Sequence, residues 1–303
     1  MSVEEGWQRG FAVVELTPAD ASSLIGRPIF AVQLLSGGLR NTNCRVESGD
    51  GPAVLRLYTA DREACARELS ILNLIHDRVP VPRVLDAKPD ADPPWALHEF
   101  INGRRFDRIE PTDIGPAAFD AGQVLARIHA TPISPDAQPD LYRYSVGGYG
   151  FVEFVGNAMN GRAGERLGQP LADRLIAVVQ QHAPRLRVQD TTLQHSDYKP
   201  WNLLVDEQRI AGVLDWEFAF AGWRLNDLAN FLRYCERQPP EYKNRFVDGY
   251  LAGGGQLPDD WFRLARLVDI MGFCDFLSRP HDDPAIRRDI TPLIERTIAL
   301  FTT

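Results

Sequence analysis

The sequence predicts an α+β chain in two lobes, a small β-rich lobe followed by a larger helical one. Three observations lead there. β-Forming runs separated by Gly, Asn and Asp clusters fill much of the first hundred residues. Helical spacing takes over beyond about residue 104. One strand pair, residues 193–217, sits inside the helical part. At 303 residues the chain is long enough for two lobes with a sizeable core. The expected division falls at Asn102–Gly103, giving lobes of 1–102 and 103–303.

The first lobe reads as a β-meander. FAVQLL (30–35) leads into SGGLRNTN, then CRVES, a GDG turn and AVLRLY (53–58). Residues 61–76 switch to helical spacing, with Ala64, Leu72 and Ile75 apolar and Asp61 as the expected N-cap. VPVPRVL reads as extended, DADPP as a turn, and WALHEFING as a further strand. In the second lobe, helices are expected over 113–130, 171–182, 225–237, 241–251, 259–277 and 285–301. Leu225, Leu228, Ala229, Leu232 and Cys235 form one apolar stripe. The stretch 134–169, rich in Gly, Pro and Asn, reads as a long loop with short helices.

Composition narrows the function. A net charge of -8 argues against general nucleic-acid binding, which needs a basic face to neutralise phosphates. Cys44, Cys65, Cys235 and Cys274 are scattered, so neither a thiolate metal site nor a disulfide framework is implied. No run approaches the roughly 18 apolar residues of a membrane span. The N-terminus also lacks a basic segment followed by an apolar one. A cytoplasmic protein without nucleic-acid or membrane partners is expected, as a monomer or a homodimer.

The strand pair carries the chemistry. In LQHSDYKPWNLLVDEQRIAGVLDWE, His195, Asp197 and Asn202 form H-x-D-x-x-x-x-N, and Asp215 follows on the next strand. An amide beside carboxylates is a hard, oxygen-rich set. Mg²⁺ favours such ligands, taking few protein oxygens and leaving room for phosphates. Phosphoryl transfer to a hydroxyl needs that metal, plus a carboxylate to orient the hydroxyl and take its proton. Asp197 suits the second task, and Asn202 and Asp215 suit the metal. Lys199 is placed to meet the γ-phosphate, Glu217 to assist a second metal, and Asp206 to form the turn.

HSDYKPWNLLV resembles the catalytic loop H-R-D-x-K-x-x-N of the protein-kinase-like superfamily, and LDWE stands where protein kinases carry D-F-G. The DWE form, followed by GWRLNDLA, is more similar to the aminoglycoside phosphotransferase and choline kinase family. The resemblance runs from about residue 30 to 235. It implies a bilobal protein-kinase-like fold, with a nucleotide-binding lobe at 1–102 and a catalytic, substrate-binding lobe at 103–303. It also implies ATP and Mg²⁺ as cofactors, and transfer of the γ-phosphate to a small-molecule hydroxyl.

On that resemblance, Ser36, Gly37, Gly38 and Asn41 belong to a phosphate-covering loop without G-x-G-x-x-G. Arg56 stands where the family commonly has Lys, opposite Glu68 on the following helix. Arg keeps the charge and grips phosphate bidentately, but differs from Lys in shape and reach. The Glu99 carbonyl and the Ile101 N–H are implied to read the adenine edge. His195 supports the catalytic loop, and Asp227 braces it. His129, in LARIHATP, reads as a packed helix-end histidine.

Two other readings stand beside this one. A nucleotide-binding pseudokinase acting as a scaffold would need a missing catalytic residue, and only Arg56 is irregular. A protein kinase is disfavoured, because residues 215–241 contain no Ser or Thr for an activation loop. The acceptor site is expected around 140–160 and the C-terminal helices, with Glu236, Asp269 and Asp275 as candidates for an amine-bearing acceptor. Aminoglycoside-, choline- and homoserine-like acceptors stay open, as does ATP against GTP.

Overall fold

The computed structural model describes residues 7, 10–35, 40–143, 148–186 and 191–302. Along the chain the elements are α1 (Pro18–Ile25), β1 (Ile29–Leu34), β2 (Thr42–Ser48), β3 (Gly51–Leu57), α2 (Glu63–Ile75), β4 (Val84–Lys88), β5 (Trp95–Glu99) and β6 (Arg104–Arg105). Then come α3 (Ile114–His129), α4 (Pro139–Tyr142), α5 (Gly148–Met159), α6 (Arg162–Leu167), α7 (Gln169–His182) and β7 (Thr191–Gln194). The rest are β8 (Leu203–Asp206), β9 (Arg209–Val213), β10 (Phe220–Trp223), α8 (Leu225–Leu232), α9 (Pro240–Ala252), α10 (Trp261–Ser278) and α11 (Pro284–Thr302).

The chain divides into two compact units. One holds Gln8–Ile109 and Trp201–Phe218; the other holds Trp7, Glu110–Pro200 and Ala219–Thr303. The sequence predicts a single division at residue 102. The contacts instead place the first crossing after Ile109 and bring the β8–β9 hairpin into the N-terminal unit. Hydrogen bonding explains the difference. β8 pairs with β6, matching Arg104 to Val205, and the Val213 N–H donates to the Pro80 carbonyl at 2.8 Å. A Cβ on Gly212 would lie 2.7 Å from Ile101 Cδ1, so a larger residue there would have to displace the end of that side chain.

The N-terminal unit carries a five-stranded antiparallel sheet in the order β1-β2-β3-β5-β4. Strand alternation sorts its side chains. Leu55, Leu57, Trp95 and Leu97 enter a core closed by Ala21 and Ile25 of α1. α1 was not legible from periodicity, being short. Its local chemistry explains it: a Thr17–Asp20 capping box, Pro18 at the first turn, and Gly26 at φ +81° closing the helix. α2 begins at Glu63 after Arg62, so Asp61 is not the N-cap. It lies one residue earlier, and its carboxylate accepts the Glu63 N–H at 3.0 Å.

The other unit is helical apart from the β7–β10 pair. Its α3 and α9 approach closely because glycines face the crossing. A Cβ on Gly122 would lie 2.1 Å from the Phe246 carbonyl oxygen, and one on Gly249 would lie 1.9 Å from that of Phe119. α8 packs Phe231 against Phe246 and Tyr242 of α9, with ring centroids 4.0 and 4.8 Å apart. Within 134–169, α5 is a full 12-residue helix, longer than a loop with short helices would suggest. Among the described residues, no helix is long and apolar enough to cross a membrane.

Candidate active site

The hairpin turn DEQR uses two residues at positive φ, Glu207 (+42°) and Gln208 (+70°), as a two-residue antiparallel turn requires. Beyond β9 the chain enters Asp215 at φ +69°, an uncommon conformation for a residue with a side chain. Such outliers persist where surroundings hold them, often at functional sites. Here the holding group is Glu68. It accepts the Trp216 N–H at 3.0 Å and the Tyr58 O–H at 2.6 Å. The Trp216 indole donates to the Val213 carbonyl at 3.0 Å, fixing the turn from its other side.

Arg56 is the centre of this unit's polar network and is 8% exposed. Its Nε lies 3.1 Å from Glu68, and its Nη2 lies 2.5 Å from Asp215 and 3.6 Å from Glu217. The pairing of Arg56 with Glu68 matches the sequence expectation; the pairing with Asp215 and Glu217 across the chain does not follow from spacing. Burial pulls the Arg56 pKa down, but Glu68 and then Asp215 raise it well above its ordinary value. Burial likewise pushes the Glu68 carboxyl up, and Arg56 outweighs it, leaving Glu68 below the usual range.

Glu217 behaves differently. Its carboxyl is pushed up to about 7, first by burial and then by Asp215, although Arg56 and the Asn41 amide N–H at 2.7 Å favour the charged form. Between about pH 4.5 and 7 the folded chain therefore holds a proton that the unfolded chain releases, so stability falls as pH rises through that window. Glu217→Gln is expected to flatten that slope. Urea midpoints of the metal-free protein at pH 5 and 7.5 test this. Equal losses in wild type and variant would show that Glu217 titrates normally.

A pocket of about 330 Å³ adjoins this network within the N-terminal unit. Val54, Phe100, Ile101, Leu204 and Leu214 supply apolar wall, while Arg56, Glu68, Asn202 and Asp215 supply polar wall. Glu99 and Ile101 both line it. Asn41 is buried and tied to Glu217. Ser36, Gly37 and Gly38 lie outside the described residues. His98, absent from the sequence expectations, also lines the pocket, and neither of its ring nitrogens has a hydrogen-bond partner among the described residues. Its place in WALHEFING, immediately before Glu99, was the signal that could have found it.

The helical unit holds the other expected residues. Asp197 follows β7, and its side chain is 20% exposed. Lys199 Nζ lies 2.5 Å from its Oδ1 and 5.5 Å from the centre of the Phe276 ring. Burial raises the Asp197 carboxyl, but Lys199 outweighs it and holds the group below the usual carboxylate range. His195 is fully buried, and its Nδ1 accepts the Asp197 N–H at 3.2 Å. Asp227 accepts the backbone N–H groups of His195 at 2.9 Å and Ser196 at 2.7 Å.

The acidic residues expected to greet a cationic acceptor are each paired with arginine. Asp269, 1% exposed, takes the Arg233 guanidinium; Glu236 meets Arg266 at 2.6 Å; Asp275 meets Arg279 at 3.1 Å. Their charge is compensated within the protein.

An antiparallel sheet with a buried Arg–Glu pair, followed by a helical unit whose loop carries Asp197, defines the bilobal protein-kinase-like fold. Residues 31–267 match the model of the phosphotransferase enzyme family, and the chain belongs to that family. No curated protein sequence matches it. Among solved structures, the streptomycin–ATP ternary complex of APH(2'')-IIa is similar over 96% of this chain and 100% of that one, at 16% identity and TM-score 0.70. Spectinomycin phosphotransferase APH(9)-Ia, with ADP and spectinomycin, is similar over 94% and 99%, at 18% identity and TM-score 0.68. Macrolide 2'-phosphotransferase MphH from Brachybacterium faecium is similar over 93% and 96%, at 18% identity and TM-score 0.65.

Proposed function

We propose that the protein transfers the γ-phosphoryl group of ATP to a hydroxyl of a small molecule of the aminoglycoside or macrolide kind. The observation that carries this reading is the 330 Å³ pocket, whose apolar wall suits a flat base and whose polar wall carries Arg56, Asn202 and Asp215. Glu99 and Ile101 would read the base edge through their backbone, and Arg56 would contact the phosphates. Solved relatives with ATP or ADP bound support the choice of nucleotide.

The donor set fits Mg²⁺. Asn202 and Asp215 offer hard oxygens in one unit, and Glu217 is a buried carboxyl that Asp215 pushes towards protonation, a crowding that a divalent cation relieves. Bound there, Mg²⁺ would neutralise charge on the phosphates. Asp197 orients the acceptor hydroxyl and takes its proton, a task that needs an ionised carboxylate. Lys199, held beside Asp197, adds positive charge near the transferring group. His195 stays structural.

The reading is tested by incubating the protein with Mg·ATP and a panel of aminoglycosides, macrolides, choline and homoserine, following phosphorylated product by mass. One acceptor should gain a phosphate. Stabilisation by a nucleotide analogue without any ADP formation, with or without acceptor, would replace this reading by the pseudokinase one.

A further inference from the structure

We propose that the helical unit carries a second binding site, for an apolar organic monocarboxylate, in a cavity at the end of the β7–β10 pair remote from Asp197. The cavity has a volume of about 530 Å³, against about 330 Å³ for the pocket of the N-terminal unit. That size suits a small organic molecule. Three segments of one unit form it: 184–186 after α7, 223–225 at the start of α8, and residues between 256 and 264 leading into α10.

Its place in the fold separates it from the reacting loop. Trp223 pairs with Thr191, whereas Phe220, at the other end of β10, pairs with Gln194 beside that loop. Three strand residues span roughly 10 Å. Asp197 and Lys199 are not in the cavity wall, so a molecule held there is not the acceptor of the phosphoryl group.

The wall chooses the ligand. Leu186, Trp223 and Leu264 are buried and, with Leu257, supply its apolar part. Arg185 and Asp260 also line it and pair with each other. Arg224 has no carboxylate partner among the described residues. Its Nη1 makes one long contact, 3.4 Å to the Gln256 carbonyl, and its buried Nε has no hydrogen-bond partner. A buried donor left unpaired is costly, and an anion held against the guanidinium removes that cost.

Two guanidinium groups against one carboxylate leave a single positive charge, in a chain whose net charge is -8. His182, on α7, feels the same excess: burial, then Arg185 and Arg263, hold its pKa below the ordinary value. The start of α8 adds to the attraction, since Leu225 is in the wall and the N-cap residue Arg224 makes no side-chain capping bond. One negative charge balances the cavity, which favours a carboxylate over the dianion of a phosphate monoester. The apolar wall calls for an aryl or alkyl body behind it.

The test uses the full chain, with phenylbutanoate and naphthoate as probes. Both should bind saturably at millimolar concentration or below in titration calorimetry. The indole N–H resonance of Trp223, assigned through Trp223→Phe, should move with the same affinity. Uncharged phenylbutanol should bind about 10- to 100-fold more weakly, the worth of a charge-assisted hydrogen bond. Arg224→Gln, which keeps the reach of the side chain and loses its charge, should weaken both acids by about the same factor. Leu257→Glu, which adds a carboxylate at a half-buried position of the wall, should weaken them independently if Arg224→Gln disturbs folding. Saturating Mg·ATP should leave the affinity of the acids unchanged. No saturable binding of either acid, an unmoved Trp223 resonance, equal affinity for the alcohol, two folded variants that bind like wild type, or displacement by Mg·ATP would overturn the proposal. Tighter binding of phenyl phosphate than of the acids would overturn the assignment to a monocarboxylate. None of these readouts requires turnover of ATP, so the site stands or falls apart from the reaction proposed above.

Discussion

Asp197→Asn is expected to lower phosphoryl transfer about 10²- to 10⁴-fold, the range usual for loss of a general base. The substitution keeps the shape of the side chain and removes its charge, and with it the ion pair to Lys199. Asparagine matches the shape of aspartate, and the backbone bond from Asp197 N–H to His195 is retained. What disappears is an ionised carboxylate, which Lys199 holds below its usual range against the cost of burial. An amide cannot take the proton of an acceptor hydroxyl. Nucleotide affinity should be preserved, because the residues lining the pocket belong to the other unit. The check is single-turnover transfer alongside a nucleotide melting shift. A variant with wild-type turnover would remove Asp197 from the reaction, and one that lost nucleotide binding would show a structural role instead.

Arg56→Met is expected to cost about 3–5 kcal/mol of stability, the range for breaking a buried ion pair from one side. Glu68 and Glu217 are almost wholly buried, and Asp215 is partly exposed, so three carboxylates would lose their shared cation. Arg56→Lys should recover only part of the loss. The guanidinium meets Glu68 through Nε while Nη2 faces Asp215 and Glu217, whereas one ammonium must choose. Urea unfolding near pH 7 reads both variants. A Met variant within about 1 kcal/mol of wild type would mean that the carboxylates relax or protonate without penalty. A Lys variant equal to wild type would show that charge alone, rather than the fork, organises the site.

Much of the fold was legible in residue order, and the reasons differ by element. α3, α7, α9, α10 and α11 fall close to the ranges predicted by apolar spacing, because each buries one stripe along its length. α1 escaped because two turns give periodicity little to read, while its capping box and terminal glycine were there to be found. The β8–β9 hairpin was legible as a hairpin, but its unit was not. Its allegiance is set by β6 and Pro80, distant in the chain.

In the site, the same line separates local from distant. Asp197, Asn202, Asp215 and Glu217 could be picked out because they crowd one hairpin at fixed spacing. The partners could not. Asp269, Glu236 and Asp275 looked available until Arg233, Arg266 and Arg279 were seen against them. His129 looked like packing until Asp227 and Tyr250 met its two nitrogens.

The order of residues by itself determined which chemical groups this protein has and how they repeat, and hence its strands and most of its helices. Only the tertiary structure decided who meets whom: Arg56 with three carboxylates, the hairpin with β6 of the N-terminal unit, His129 with Asp227. The physical reason is that spacing governs contacts within a turn or a strand pair, whereas charge pairing and burial act between residues that only folding brings within a few ångströms.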